Sequence, residues 1–255
     1  GVMALTSQPF YSLSFCSLRF NRQTDPALER HIEEVWTARL AKEPWLFNGT
    51  KFRLHSFRDV PSIRPLLTLT LGLTCYKDYL GTNWSSQVEE LRQRGEVEYG
   101  DPLALLAQPL GVGAVLFTHD GHVVLIRRSQ RVAEAGGQLD IPGGHPEPEV
   151  NVPLCSLTAP ILMGVALNHT SAGRPSAEFY VSCSLTSDEV RSLYWKGGAE
   201  AHESTDIVFL SRTVSVMHSP LWSELCPSAK GAVMLYQRVR PDGDQSMLHK
   251  GTTAH

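Results

Sequence analysis

The sequence predicts an α/β protein with strands and helices interleaved, and three stretches carry that prediction. Gly111–Phe117 and His122–Arg128 are apolar runs separated by the turn His119-Asp-Gly121, a hairpin signal, and a Pro142-Gly-Gly144 corner follows the strand-like residues 139–141. Residues 25–40 repeat apolar side chains at helical spacing, with Leu28, Ile32, Val35, Trp36 and Leu40 on one face. Residues 65–73 alternate Leu67, Leu69, Leu71 and Leu73 with Thr68, Thr70 and Gly72, the period of a strand.

Taken in order, residues 1–24 are mildly apolar, broken by serines, and expected to be disordered. The first basic residue, Arg19, lies at the wrong end for a signal peptide, and none is expected. Asp25 is placed to cap the helix over 25–40, with Pro26 in its first turn. Residues 51–58 read as a strand. Between the strand at 65–73 and a helix predicted over 84–94, capped by Ser85 or Ser86 and stopped by Gly95, lies Leu73-Thr-Cys-Tyr-Lys-Asp-Tyr-Leu-Gly-Thr-Asn-Trp84. From residue types alone it reads first as a loop whose Tyr76, Tyr79 and Trp84 roof a core. It also holds groups that stack on a base and bond a ribose or phosphate.

The pattern changes near Gln108, dividing the chain into an amino-terminal region, 25–107, and a second domain, 108–240. Past the Pro-Gly-Gly corner, Pro146, Pro148 and Pro153 exclude a regular helix, because each lacks an N–H and restricts its predecessor. Residues 161–167 and 177–184 are strand signals on either side of Gly173. Thr186 and Glu189 form a capping box for a helix over 186–194. A glycine-rich acidic loop, 197–206, precedes a strand at 207–210. The apolar run 232–236 reads as a closing helix that begins after Ser228, and 241–255 as a disordered tail.

Composition narrows the function. At 255 residues with 42% hydrophobic side chains the chain can bury one large or two smaller cores. Its net charge of −3 gives no general attraction to nucleic acid or an anionic bilayer, and no apolar run is long enough to span a membrane. Five scattered cysteines without a C-x-x-C argue against a zinc site or a disulfide framework and for a reducing compartment.

The strand ending in Pro-Gly-Gly resembles the Nudix hydrolase superfamily. The runs Lys51-Phe-Arg-Leu-His-Ser56, Leu80-Gly-Thr-Asn-Trp-Ser-Ser86, Arg131-Val-Ala-Glu-Ala135, Thr170-Ser-Ala-Gly-Arg174 and Cys226-Pro-Ser-Ala-Lys-Gly231 are similar to its vertebrate UDP-sugar diphosphatases, a likeness that extends from about Glu29 to Arg240. The resemblance implies a Nudix fold, a mixed β-sheet sandwiched by helices with an additional amino-terminal α+β region. It implies a hydrolase that cleaves UDP-glucose or UDP-galactose to UMP and a sugar 1-phosphate. Magnesium, with manganese as a substitute, is the implied cofactor, and a cytoplasmic location, with the nucleus open, is implied too.

The family's box helix, whose glutamates hold that metal, has no counterpart here. Glu149-Val-Asn-Val152 reads as its last remnant, with the helix deleted near 148–149, which is expected to leave aliphatic side chains of the sheet bare. By the resemblance the metal falls to Glu149, Glu203 and the Gly144 carbonyl, with Glu147 and Glu200 nearby, and Glu149 and Glu203 are the catalytic candidates. Tyr76, Tyr79, Asn83 and Trp84 would take the uridine, and Arg127 or Arg128 a phosphate. Three outcomes follow: a diphosphatase of impaired activity, a non-catalytic UDP-sugar binding protein, or an unstable splice product.

Overall fold

The computed structural model describes residues 2–4, 10–15, 19–60, 66–130, 132, 134–144, 154–196, 204–212 and 216–243. In chain order the elements are β1 (Val2–Ala4), β2 (Phe10–Phe15), α1 (Pro26–Lys42), β3 (Thr50–Val60), β4 (Leu66–Cys75), α2 (Tyr76–Gly81), α3 (Val88–Tyr99), β5 (Gly111–Phe117), β6 (His122–Arg128), β7 (Leu139–Asp140), β8 (Gly143–Gly144), β9 (Ile161–Asn168), β10 (Arg174–Ser182), α4 (Ser187–Lys196), β11 (Ser204–Ser211) and α5 (Pro227–Val239).

The larger sheet has the order β1-β9-β10-β5-β6-β11, with β7 paired to β6 and β8 to β5. It is mixed, as expected: β10 runs parallel to β5, with Ser176 opposite Gly111, while β9 and β6 run antiparallel to their neighbours. Alternation along the strands sends Val115, Phe117, Val123 and Leu125 to one face, where Ala229, Ala232, Val233 and Leu235 of α5 cover them. Leu116, Val124, Val181 and Ile207 point the other way and meet Val190 of α4. The bare aliphatic face expected from the missing helix is therefore not found on β5 and β6, because α5 and α4 between them close both sides.

A second sheet, β2-β4-β3, belongs to the amino-terminal region, and Leu54, Leu69 and Leu71 from it pack on Leu162, Val165 and Ala177 of the larger sheet. Two expectations change here. Residues 2–4 and 10–15 lie in strands rather than in a disordered segment, since each finds an open edge to pair with, on β9 and β4. The stretch read as a loop contains α2, which lies against α1 so closely that a Cβ on Gly81 would come within 2.6 Å of Ile32.

Helix α1 starts as its sequence demands. Asp25 Oδ1 accepts from the Ala27 and Leu28 N–H groups at 2.8 and 2.9 Å, and Arg94 donates to Oδ2 at 2.6 Å. Arg94 first, then those N–H groups, hold the Asp25 carboxyl down to about 2. Helix α3 begins later than predicted, at Val88, and runs through Gly95 to a left-handed Gly100, because Gly95 is needed where the backbone of Asp101 passes close by. Helix α5 also departs from its predicted start. Cys226, not Ser228, is the N-cap, and Pro227 takes the first turn.

The linker between the two regions is tied down by one buried cation. Arg53, only 1% exposed, donates through Nε to the Leu106 carbonyl at 3.1 Å, through one terminal nitrogen to Leu103 at 2.8 Å, and through the other to Phe20 at 3.1 Å. Burial lowers its pKa to about 10, which leaves it charged at neutral pH. On either side of it, Leu54 N–H donates to Gln108 O and Leu110 N–H to Phe52 O. Replacing Arg53→Met keeps the volume and strips the donors from three carbonyls. The expected cost is on the order of 3 to 5 kcal/mol, read as a lower urea midpoint at an unchanged slope; a loss under about 1 kcal/mol would show that water replaces the guanidinium without penalty.

Candidate functional site

The aromatic segment forms a ladder. Tyr76, Tyr79 and Trp84 stack in sequence, with ring centroids 6.2 Å apart at each step and interplanar angles of 24° and 29°. Its middle rung is interior: Tyr79 is 6% exposed and shares a cluster with Leu80 and Ala107, so it roofs a core. Trp84, at 39% exposure, offers the ladder's open surface.

Asn83 is buried as well, and its polar atoms are committed. Its Oδ1 accepts the Gln108 N–H at 3.0 Å, and its Nδ2 donates to the Ser171 carbonyl at 3.4 Å. Gln108 sits at a φ of 43°, a conformation unfavourable for a side-chain-bearing residue, and is also held by its own Nε2 donating to Ala172 O at 3.1 Å. Asn83 thus joins the ladder to the linker and to the turn before β10 rather than facing outward.

A carboxylate that the sequence reading did not single out connects the ladder to the larger sheet. Glu134 Oε2 accepts from the Tyr79 hydroxyl at 3.1 Å and from Arg174 at 3.0 Å, and Oε1 accepts from Asn168 Nδ2 at 2.7 Å. The Arg174 guanidinium also lies 5.9 Å from the centre of the Tyr79 ring. Burial, and then the Glu134 charge, push the Tyr79 phenol well above its ordinary pKa, so it acts as a donor throughout the physiological range. Glu134 and Arg174 each fall in one of the sequence runs noted above; that was the only signal they gave.

Arg127 and Arg128, the phosphate candidates, both have partners within the protein. Arg127 donates to Gly137 O at 3.0 Å and pairs with Glu224 at 2.8 Å, while Arg128 donates to Glu134 O at 3.2 Å and pairs with Asp140 at 2.9 Å. Both brace the loop that leads to the Pro-Gly-Gly corner. Gly144 is exposed at the end of β8, paired with Val112. Glu147, Glu149, Glu200 and Glu203 lie outside the described residues. Among the described residues no three His, Cys, Asp or Glu side chains converge on a metal, so they do not themselves fit the magnesium that the family implies.

Near the corner one further carboxyl was overlooked. Glu178, 0% exposed, sits on β10 opposite Gly113 of β5 and Gly164 of β9. Gly113 cannot be otherwise, since a Cβ there would strike the Glu178 carboxyl and come within 2.7 Å of Ile141. Among the described residues neither oxygen meets a donor in hydrogen-bonding geometry. Burial dominates and pushes the carboxyl up to about 7, the Asp140 charge adds to this, and Ser176 and Arg174 oppose it.

These features define a class: an α+β protein whose mixed sheet lies between helices and whose amino-terminal region is clamped on through an aromatic ladder and a partly buried ion pair. No family model matches the chain. It is 48% identical over 257 residues to uridine diphosphate glucose pyrophosphatase NUDT22 of Mus musculus, covering 87% of this chain and 83% of that protein, and 48% identical to the Homo sapiens protein of the same name, covering 86% and 85%. It is also 30% identical to Nudix hydrolase 9 of Arabidopsis thaliana, covering 90% of this chain and 87% of the relative. The chain belongs to the Nudix hydrolase family. The match to the mouse protein is longer than the part of this chain it occupies, so that relative carries residues with no counterpart here.

Glu178 yields a pH prediction. Its folded pKa lies above the ordinary 4.5, so this group costs the fold nothing below about pH 4.5 and its cost grows as pH rises toward 7, where the buried group must ionise. Glu178→Gln should remove that loss, worth on the order of 3 kcal/mol, and be more stable than the parent at pH 8. Urea midpoints at pH 5 and pH 8 that change equally in both proteins would contradict it.

Proposed function

We propose that this chain binds uridine diphosphate glucose and hydrolyses it far more slowly than a complete Nudix enzyme. The single observation that carries the reading is the anchored ladder. Trp84 is held open on Tyr79, and Tyr79 is fixed through Glu134 to the turn that precedes β10. A uracil ring stacks on the open Trp84 face at little conformational cost, because the platform is already ordered. The names of the 48%-identical relatives supply the substrate class.

Hydrolysis requires more. Magnesium supplies charge neutralisation and an acidified water in such a site, and it demands several oxygen ligands in near-octahedral geometry. The proposed ligands are Glu149, Glu203 and the Gly144 carbonyl. The helix that would supply further glutamates is, on this reading, among the residues present in the relatives and missing here. A carboxylate displaced by about 1 Å already costs on the order of a hundredfold in rate.

Two measurements test this reading. UDP should raise the melting temperature without metal, by the equivalent of about 2.7 kcal/mol at a hundred times its dissociation constant. Trp84→Ala should abolish that shift at little cost to the fold, whereas Tyr79→Ala should also destabilise the protein by roughly 3–5 kcal/mol as a buried aromatic. A Trp84→Ala protein that responds to UDP like the parent would remove the platform from consideration. In the second measurement, release of UMP and glucose 1-phosphate should stay near background and recover when a box helix with its glutamates is grafted between Pro148 and Glu149. Turnover by the unmodified chain at about 1 per second or faster, an ordinary enzymatic rate, would refute the impairment.

A further inference from the structure

Between β6 and β7 the chain carries Glu134 to the aromatic ladder in an unusual way. The next residue, Ala135, holds a φ of 53°, a left-handed conformation that is costly for any residue with a side chain, although two glycines follow it directly. Its methyl packs against the core formed with α5, which accounts for a side chain at that position. Ala135 thus anchors the segment inward while Glu134 reaches α2.

Glu134 is fully engaged. Its two oxygens serve donors from three segments: Tyr79 of α2, Asn168 at the end of β9 and Arg174 at the start of β10. Its own carbonyl accepts from Arg128 Nε at 3.2 Å, and the same guanidinium reaches Asp140 of β7 at 2.9 Å, two residues before Pro142. The Glu134 and Asp140 side chains are only 17% and 13% exposed, so water competes little for these bonds. One series of contacts therefore runs from the Trp84 ring through Tyr79, Glu134, Arg128 and Asp140 to the Pro-Gly-Gly corner.

We infer that Glu134 is a positioning residue that joins the ladder and the corner into one mechanical unit. A molecule that loads the Trp84 face stiffens the backbone carrying the Gly144 carbonyl, and loosening either end reaches the other. A glutamine at 134 keeps the shape but offers one acceptor oxygen to three donors and sets its own amide against another donor. The inference deepens the proposed function and rests on it only in taking uridine as the load. Contacts in a line do not alone establish coupling, so the series has to be cut at one end and read at the other.

The test is amide hydrogen exchange of the full chain without ligand, in the parent, Tyr79→Phe, Glu134→Gln and the double variant. Tyr79→Phe keeps the ring and its stacking and removes only the hydroxyl. Each single variant is expected to speed exchange roughly tenfold in both α2 and residues 134–144, as loss of a hydrogen bond to a charged group implies, while α4 exchanges as in the parent. The double variant should add little more, since both substitutions cut one path. Saturating uridine should slow exchange at 138–144 in the parent and not in Tyr79→Phe. The inference is overturned if Tyr79→Phe speeds exchange in α2 alone or in α4 equally, if the two single effects add in full, or if uridine protects the corner equally in Tyr79→Phe. If the ligand-free pattern holds and uridine protects neither protein, the coupling stands and the Trp84 platform falls.

Discussion

The guanidinium of Arg53 is the interaction on which the two halves of this chain depend. It lies in the second sheet, yet every carbonyl it serves belongs to another segment: Phe20 before α1, and Leu103 and Leu106 in the linker. A linker that turns back on a sheet edge leaves carbonyls pointing inward where water cannot follow, and each must find a donor. A planar group with five N–H donors on three nitrogens answers three of them at once, across a width that a single ammonium nitrogen does not span. Three carbonyl dipoles and the His55 ring nitrogen surround the charge, Asp101 favours it at longer range, and no carboxylate pairs with it directly among the described residues. Once the linker is fixed, Gln108 and Asn83 follow, and with them the turn at Ser171 and Ala172.

What the sequence revealed divides by how local the cause is. The capping of α1 by Asp25 and the capping box at Thr186 and Glu189, both found as expected, are written in four or five neighbouring residues. Helix α2 was hidden because six residues give no period, and its place is decided by contact of Gly81 with Ile32 on another helix. The strands at 2–4 and 10–15 exist through edges far away in sequence. Gly95 read as a stop because an isolated glycine weakens a helix, but its lack of a side chain serves packing against Asp101 instead.

The candidate site was legible in its residue types and not in their directions. Tyr76, Tyr79 and Trp84 announced a stack, but which rung meets solvent depends on what covers the others, and Tyr79 and Asn83 turned inward. Arg127 and Arg128 sit at a strand end, where a free cation is as common as a brace. Their partners Glu224 and Asp140, 97 and 12 residues away, are found only in the fold. Glu134 and Arg174 are 40 residues apart and pair through folding alone.

Binding and turnover in this fold draw on different parts of the chain, which bears on what a lost helix can do. The ladder, Glu134 and the turn before β10 are tied together by Asn83, Asn168 and Gln108. By the resemblance, the metal carboxylates of a Nudix enzyme come from the segment that follows Pro-Gly-Gly, where this sequence carries Pro146, Pro148 and Pro153. On the proposed reading, residues missing from that segment would cost metal ligands and leave the ladder's anchors in place. Closure of the sheet by α4 and α5 works in the same direction, since the core of β5 and β6 is covered by elements that lie after the deletion. On the proposed reading recognition outlasts catalysis, because Trp84, Tyr79 and Glu134 are fixed by packing and hydrogen bonds from elsewhere in the fold.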